Sequence, residues 1–578
     1  MPTNPRTPVL ALLRPHRRRL LAAAVVTLAA SGLALVQPAV LQSLVDTAGT
    51  HAPPLTLVGV LALAVVAESL CRGAAVYHVM SASESVTLDL RATLAQHALR
   101  LPLRRLETTR RGDLVTRLTA DTSLVRQVLA AGMIEVASSA VLVVGSLVMM
   151  SLIDPRLTVL TGVLIALAIV MITPFARRLR GATGRYQASL GVLGAEFDSA
   201  LSSIRLVRSY AAEDGRTARI ATDARRSWGL GLQVARLSAA VEPVIGIATQ
   251  GALLAVLLVG GIRVGNGELT LGALVAFLVY LFMVILPTAQ LLGALTRIQA
   301  GVAALARVDE LMQEPTEPQG GLPCAGPGGV VPALELVRAS FEYEPGRGLY
   351  DVDLVVPSGQ HTAIVGPSGS GKSTLLSLLQ RLYEPTDGEL RVFGDPAALL
   401  DARSLRRRID YVEQNAPALA TSLRDNLLLA DPGLDDATML RALARVGLAG
   451  AAERGLELTI GDGGIALSGG ERQRLAWARL LLSSSDVVLL DEPTSNVDTA
   501  TESVFDALVQ DLLAQRTVVT VSHRLVAVRS AHQIVVVDEG RIVGQGTHSE
   551  LLDDCPTYRD LVAHDAARLS AAADPARR

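Results

Sequence analysis

The sequence predicts an all-α six-helix transmembrane domain followed by an α/β domain, and three observations predict it. Six apolar stretches long enough to cross a bilayer lie before about residue 300. A Pro/Gly-rich stretch follows them. Beyond it, short β-branched runs alternate with helical patterns, and one of those runs opens onto a glycine-rich loop. The expected boundaries are 1–312 for the membrane domain, 313–332 for a linker, 333–566 for the α/β domain and 567–578 for a polar tail.

Half of the 578 residues are hydrophobic but only 3% are aromatic. The net charge of −2 gives no domain-wide basic excess, which argues against nucleic acid as a partner. Cys71, Cys324 and Cys555 lie far apart and suit neither a disulfide framework nor a metal site, so they read as small core or surface residues.

The apolar stretches run roughly over 18–42, 55–80, 130–152, 157–176, 241–263 and 269–293. A cleavable leader is the alternative for the first, but its apolar run is long and five more follow. Arginines orient the set. Arg14, Arg17, Arg18 and Arg19 precede the first stretch, Arg91, Arg100, Arg104, Arg105, Arg110, Arg111 and Arg117 follow the second, and Arg177, Arg178, Arg180, Arg185, Arg205 and Arg208 follow the fourth. The opposite loops are short and nearly free of basic residues. Both termini and the two long loops are therefore expected in the cytoplasm, at the cell (inner) membrane. Apolar residues recur at three- and four-residue steps over Leu88–Val128, with an interruption near Arg110–Asp113, and again over Tyr186–Ala212. These segments read as helices that extend beyond the membrane or as surface helices with solvated faces.

After the linker, His361–Val365 reads as a buried strand and Thr374–Gln380 as a helix. Between them Gly366, Pro367, Ser368, Gly369, Ser370, Gly371, Lys372, Ser373 and Thr374 fit G-x-x-x-x-G-K-[ST]. Lys372 is the only lysine among 53 basic residues. A compact ammonium can fold back onto phosphate oxygens in a tight loop, where a planar guanidinium fork is too broad. The loop thus predicts a bound nucleoside triphosphate, with Ser373 offering a hydroxyl to Mg²⁺. A second buried strand, Asp486–Leu490, ends in Asp491 and Glu492. Asp491 is placed to hold the Mg²⁺ shell, and Glu492 to orient or deprotonate the attacking water.

The stretch Leu467-Ser468-Gly469-Gly470-Glu471-Arg472-Gln473-Arg474 lies between these two motifs. It resembles the signature motif of ATP-binding cassette (ABC) proteins. That resemblance implies that Ser468, Gly469 and Gly470 cap the γ-phosphate of an ATP held by the opposite subunit. It also gives roles to further residues. Tyr343 resembles the aromatic that stacks on adenine, with a strand-core residue as the alternative. Gln414 resembles the Q-loop glutamine, which reaches Mg²⁺ and water. Asp498, closing Ser495–Asp498, corresponds to the D-loop, and His523 to the switch histidine. Asp462 stands where exporters usually carry Glu.

One six-span domain followed by one cassette is similar to an ABC exporter half-transporter, closest to bacterial homodimeric multidrug exporters. Arg111–Arg117 and Ile204–Asp214 resemble the cytoplasmic coupling loops of that family, and Gly272–Phe277 its sixth span. The resemblance implies ATP and Mg²⁺ as cofactors, Glu492, His523 and Gln414 as catalytic residues, a second half-transporter as partner, and membrane lipid around the spans. It further implies ATP-driven export of hydrophobic or amphiphilic compounds, with a dedicated peptide or secondary-metabolite exporter as the alternative and an importer less favoured. Glu68, inside the second span, suits either a polar cavity attracting cationic amphiphiles or a helix–helix hydrogen bond; Gln250 and Gln290 have the same two readings.

Lys372→Arg puts into the loop the basic residue used everywhere else. ATP-driven transport should be abolished while the detergent-purified variant keeps the wild-type helical circular dichroism.

Overall fold

The computed structural model describes residues 14–48, 55–129, 133–328, 331–461, 467–493, 499–522 and 528–573. Two compact units divide them, one comprising 1–99 and 112–314, the other 100–111 and 315–578. The described residues hold six helices long and apolar enough to cross a membrane. We label them α1 (Arg17–Ala48), α2 (Leu55–Ala98), α3 (Met133–Ile153), α4 (Pro155–Ser202), α5 (Glu213–Gly265) and α6 (Leu271–Gln313). The 44 residues of α2 reach about 66 Å at 1.5 Å per residue, over twice the ~30 Å hydrocarbon core. Helices α4 and α5 are longer still, so each is long enough to extend well past a bilayer.

Within the first unit α1 packs on α2, α4 on α5, and α6 on α3 and α1. Polar contacts join α6 to α1. Tyr280 of α6 donates its hydroxyl to the Leu35 carbonyl of α1 at 2.7 Å. Asp46 accepts from the Gly272 amide at 2.9 Å and from the Thr270 hydroxyl at 3.0 Å. A Cβ at Gly272 would lie 2.4 Å from the Gln42 carbonyl oxygen, so the start of α6 needs glycine to approach α1.

The helical interruption expected near Arg110–Asp113 falls at Thr109 and Arg110, and a further break lies at residues 99–102. Helix α2 ends before Pro102, short helices cover Leu103–Thr108 and Arg111–Thr116, and a π-helical turn spans Arg117–Asp121. Gly112 and Asp113 are thus helical. Pro102, which has no amide to donate and fixes its own φ, begins the first short helix, and extended Thr109 ends it. Asp121 at the π-turn is 3% exposed and receives both guanidinium donors of Arg307, at 2.9 and 2.6 Å.

In the second unit β1 (Leu334–Glu344), β2 (Arg347–Val356), β4 (Asp387–Val392) and β5 (Asp395–Pro396) form one antiparallel sheet in the order β2-β1-β4-β5. The other sheet comprises β3 (His361–Val365), β6 (Ile409–Val412), β7 (Val487–Asp491), β8 (Thr517–Val521), β9 (Gln533–Asp538) and β10 (Arg541–Gly546). Its order is β10-β9-β3-β8-β7-β6, parallel from β9 to β6. All five residues of β3, of β7 and of β8 are buried, as expected for parallel strands covered on both faces. The Pro/Gly-rich stretch before β1 lies against this unit: the Leu322 amide bonds to the Leu399 carbonyl at 2.9 Å and Cys324 is 6% exposed in the core.

His361, at the start of β3, is 5% exposed; its Nε2 lies 2.9 Å from the Thr520 hydroxyl. Burial, with His532 nearby, pushes its pKa from 6.5 down to about 4. The unfolded chain takes up this proton more readily than the folded one, so stability is full above pH 6.5 and is lost as pH falls towards 4. The loss amounts to roughly 3 kcal/mol. Thermal unfolding of the purified protein should show this acid sensitivity, and His361→Gln, which can still bond Thr520, should flatten it.

Candidate nucleotide site

The parallel register brings the ends of three strands into one row. Ile364 of β3 pairs with Val521 of β8, which pairs with Asp491 of β7, while Val412 of β6 pairs with Leu490. Segments leaving these ends start at one edge, where open α/β sheets bind ligands. The glycine-rich loop leaves β3, Glu492 leaves β7 and Gln414 follows β6. His523 and Asp498, as well as Asp462, lie outside the described residues.

The loop is shaped for backbone approach. A Cβ at Gly366 would sit 2.0 Å from the Val537 carbonyl oxygen, and Gly371 has φ +106° immediately before helix α7 (Lys372–Leu379). Pro367, Ser368 and Gly369 are exposed at the loop tip. Lys372 is 6% exposed, and its ammonium donates to the carbonyls of Gly366 (3.0 Å) and Pro367 (2.6 Å). Burial lowers its pKa, against the charges of Glu492 and Asp491. Ser370 Oγ is buried without a hydrogen-bond partner among the described residues. A buried orphan hydroxyl, a folded-back ammonium and a helix N-terminus together suit a phosphate chain.

Asp491 is 5% exposed. Burial raises its pKa and so does the charge of Glu492, while hydrogen bonds from Ser373 and Tyr411 and the charge of Lys372 lower it. The Ser373 hydroxyl and the Asp491 carboxylate therefore meet as hard oxygen donors, a set that fits Mg²⁺. Glu492 has φ +47°, a left-handed conformation uncommon for a non-glycine residue, held by its amide bond to the Val521 carbonyl at 3.0 Å. Gln414 donates from Nε2 to Glu492 Oε2 at 2.7 Å.

Tyr343 is half-buried near the end of β1, with its hydroxyl 3.4 Å from Thr374 Oγ1. It meets Phe341 and Tyr383 edge-on, at centroid distances of 4.9 and 5.3 Å. Ser468 caps helix α8 (Gly469–Leu482) in a capping box: its hydroxyl accepts from the Glu471 amide at 3.2 Å, and its own amide donates to Glu471 at 2.8 Å. Gly469 and Gly470 form the first turn, where amides lack intrahelical acceptors.

Several contributors escaped the sequence reading. The Tyr411 hydroxyl donates to Asp491 at 3.3 Å. Tyr383 stacks on Phe341 at 4.7 Å and donates to Glu107 at 2.5 Å, while Arg104 donates to the Tyr343 carbonyl at 3.1 Å. The helix Leu103–Thr108 is thereby tied to the aromatic cluster around Tyr343. The only sequence signal for Tyr411 was its place in Tyr411–Gln414; the aromatic contacts join positions far apart in the chain.

A lysine loop, a buried carboxylate and a capped signature helix on one chain with six apolar helices define an ATP-driven membrane transporter. Family models agree: residues 20–288 match the ABC transporter transmembrane region and residues 349–495 the ABC transporter model. An ATP-dependent lipid A-core flippase of Shewanella sp. (strain MR-4) is 30% identical over 84% of this chain and 82% of its own. YgaD of Bacillus subtilis (strain 168), named as a multidrug export ATP-binding/permease protein, is 29% identical over 84% of each chain. Among solved structures, a bacterial Atm1-family ABC exporter with ATP bound superposes with a TM-score of 0.80 at 25% identity, covering 95% of this chain and 98% of that one. The chain belongs to the ABC transporters, as an exporter with its membrane region and ATP-hydrolysing cassette on one polypeptide.

Tyr411→Phe removes a donor that favours ionised Asp491. The acid limb of the ATPase pH profile should move to higher pH, measured by phosphate release.

Proposed function

We propose that this exporter moves hydrophobic or amphiphilic compounds, of multidrug or lipid-like type, across the cytoplasmic membrane by alternating access between two copies of the chain. The bond from Gln414 to Glu492, beside the buried Asp491, is the observation that carries the catalytic half of this reading. In it, Lys372 and the amides of the loop hold the β- and γ-phosphates of ATP. Tyr343 stacks on the adenine, and Ser468, Gly469 and Gly470 of the second copy close over the γ-phosphate. Gln414 orients Glu492, which accepts a proton from the attacking water. Mg²⁺ held by Ser373, Asp491 and Gln414 would neutralise phosphate charge. His523 and Asp498 complete the site by their motif positions.

A signature acting in trans requires two chains. The lysine loop, Glu492 and His523 motifs are all present in this one, which favours a homodimer. Nucleotide held between two cassettes favours closure by its extra affinity for the closed form, and loss of the γ-phosphate reverses the bias. The names of the relatives, one for multidrug export and one for lipid A-core flipping, support an amphiphilic cargo. The arginine-rich loops support a cytoplasmic cassette and termini.

The protein purified alone and reconstituted in proteoliposomes should hydrolyse ATP, respond to some members of a panel of dyes, lipids and peptides, and transport them. A requirement for a different half-transporter would remove the homodimer, and flat responses to every hydrophobic compound would remove the amphiphile reading. Glu492→Gln should trap ATP-bound dimers with negligible phosphate release. Normal release would exclude Glu492 from proton transfer.

A further inference from the structure

Between α1, α2, α3 and α6 of the membrane unit lies a cavity of about 310 Å³, within the size range of small-molecule sites. Its α1 wall is built from small and hydroxylated residues, among them Thr27 and Ser31, which leave room where larger side chains would fill it. Glu68 faces it from α2. The buried positions Ala64, Ala75 and Val79 lie four, seven and eleven residues from Glu68, so its carboxylate stands on the packed face of the helix rather than the lipid face.

The charges of this cavity are unevenly satisfied. Glu135, also in its wall, is paired with Arg297 at 2.6 Å. Glu68 is only 20% exposed, yet among the described residues its one ion pair is to Arg72 at 3.9 Å, too long for a hydrogen bond. Arg72 itself is 74% exposed at the cavity wall, so it is free to swing away. A carboxylate inside a span, held by one loose pair and facing an open space, is an anion short of a counter-ion. Apart from Arg72, Glu135 and Gln290, the lining around Glu68 is apolar or hydroxylated.

We infer that the cavity binds a lipophilic organic cation, with Glu68 as the charged anchor and Arg72 as a competing cation that the ligand displaces. This rests on the amphiphile reading of the cargo and specifies its charge. An anionic lipid headgroup would have to approach Glu68 against like charge, whereas a delocalised cation with an apolar shell matches both the carboxylate and the walls.

Tetraphenylphosphonium and tetraphenylborate are near-isosteric and opposite in charge, which makes them suitable probes. With the full-length protein in nanodiscs, tetraphenylphosphonium should bind saturably and tetraphenylborate should not. Glu68→Gln should weaken cation binding by at least about tenfold and Glu68→Asp by less. Arg72→Ala should strengthen it, a gain that misfolding cannot produce; thermal unfolding of each variant checks the fold. Absent binding of the cation, equal binding of the two ions, or binding unchanged in Glu68→Gln would overturn the inference. If binding depends on Glu68 but ATP drives no movement of any amphiphile, the site stands and the amphiphile reading of the cargo falls. If other amphiphiles are transported while the cation ignores Glu68, only this inference falls.

Discussion

Parallel register in the cassette sheet is the constraint on which the chemistry rests. Ile364, Val521 and Asp491 stand side by side, so the segments after β3 and β7 begin at one level. A slip of one residue in β7 would turn Asp491 to the opposite face of the sheet and carry Glu492 with it. The same register buries Asp491, because a strand covered on both faces cannot end in solvent without being shortened. That burial disfavours the ionised carboxylate, and the hydroxyls of Ser373 and Tyr411 and the ammonium of Lys372 offset it. The groups that would hold Mg²⁺ and phosphate are therefore also the groups that make the strand end tolerable.

Helix termini divide the remaining work. At α7 the loop supplies amides and Lys372 supplies charge, with the ammonium parked on two carbonyls of its own loop. These carbonyls are weak competitors for a phosphate, since a charge-assisted bond to an anion is the stronger interaction. At α8 the capping box satisfies the amides of Ser468 and Glu471, which leaves the amides of Gly469 and Gly470 in the first turn for an external anion. Glycine there lets a phosphate approach the backbone without meeting a side chain.

The features legible in the sequence were those that depend on nearest neighbours along the chain. The lysine loop between His361–Val365 and its helix, the strands ending at Asp491 and Val521, and the six apolar helices all appear as periodicity or spacing. Contacts between distant segments were not legible. Glu107 and Tyr383 are 276 residues apart, and nothing in either stretch announces their hydrogen bond. The helical break at Thr109 and Arg110 was legible, but the one just before Leu103 was not. Gly112 is tolerated inside a short helix, whereas proline imposes a boundary by lacking its amide. Likewise the bond between Gln414 and Glu492 depends on the left-handed backbone of Glu492, which no local pattern encodes.

Several acids of the membrane unit are accounted for by their partners. Asp154 is 3% exposed but caps α4 through the amides of Arg156 and Leu157 and pairs with Arg263 at 3.2 Å. Asp46 caps the start of α6, Asp121 holds Arg307 with two bonds, and Glu135 holds Arg297. Each of these charges has a structural use that accounts for its place in an apolar bundle. Glu68 has none of comparable geometry: among the described residues it caps no helix, and its only pairing is to an exposed arginine one turn away on the same helix. Such a pair stabilises an isolated helix by only about 0.2–0.5 kcal/mol, too little to account for a charge inside a span. A residue that contributes so little to holding the bundle together is explained by what it faces, which is the cavity.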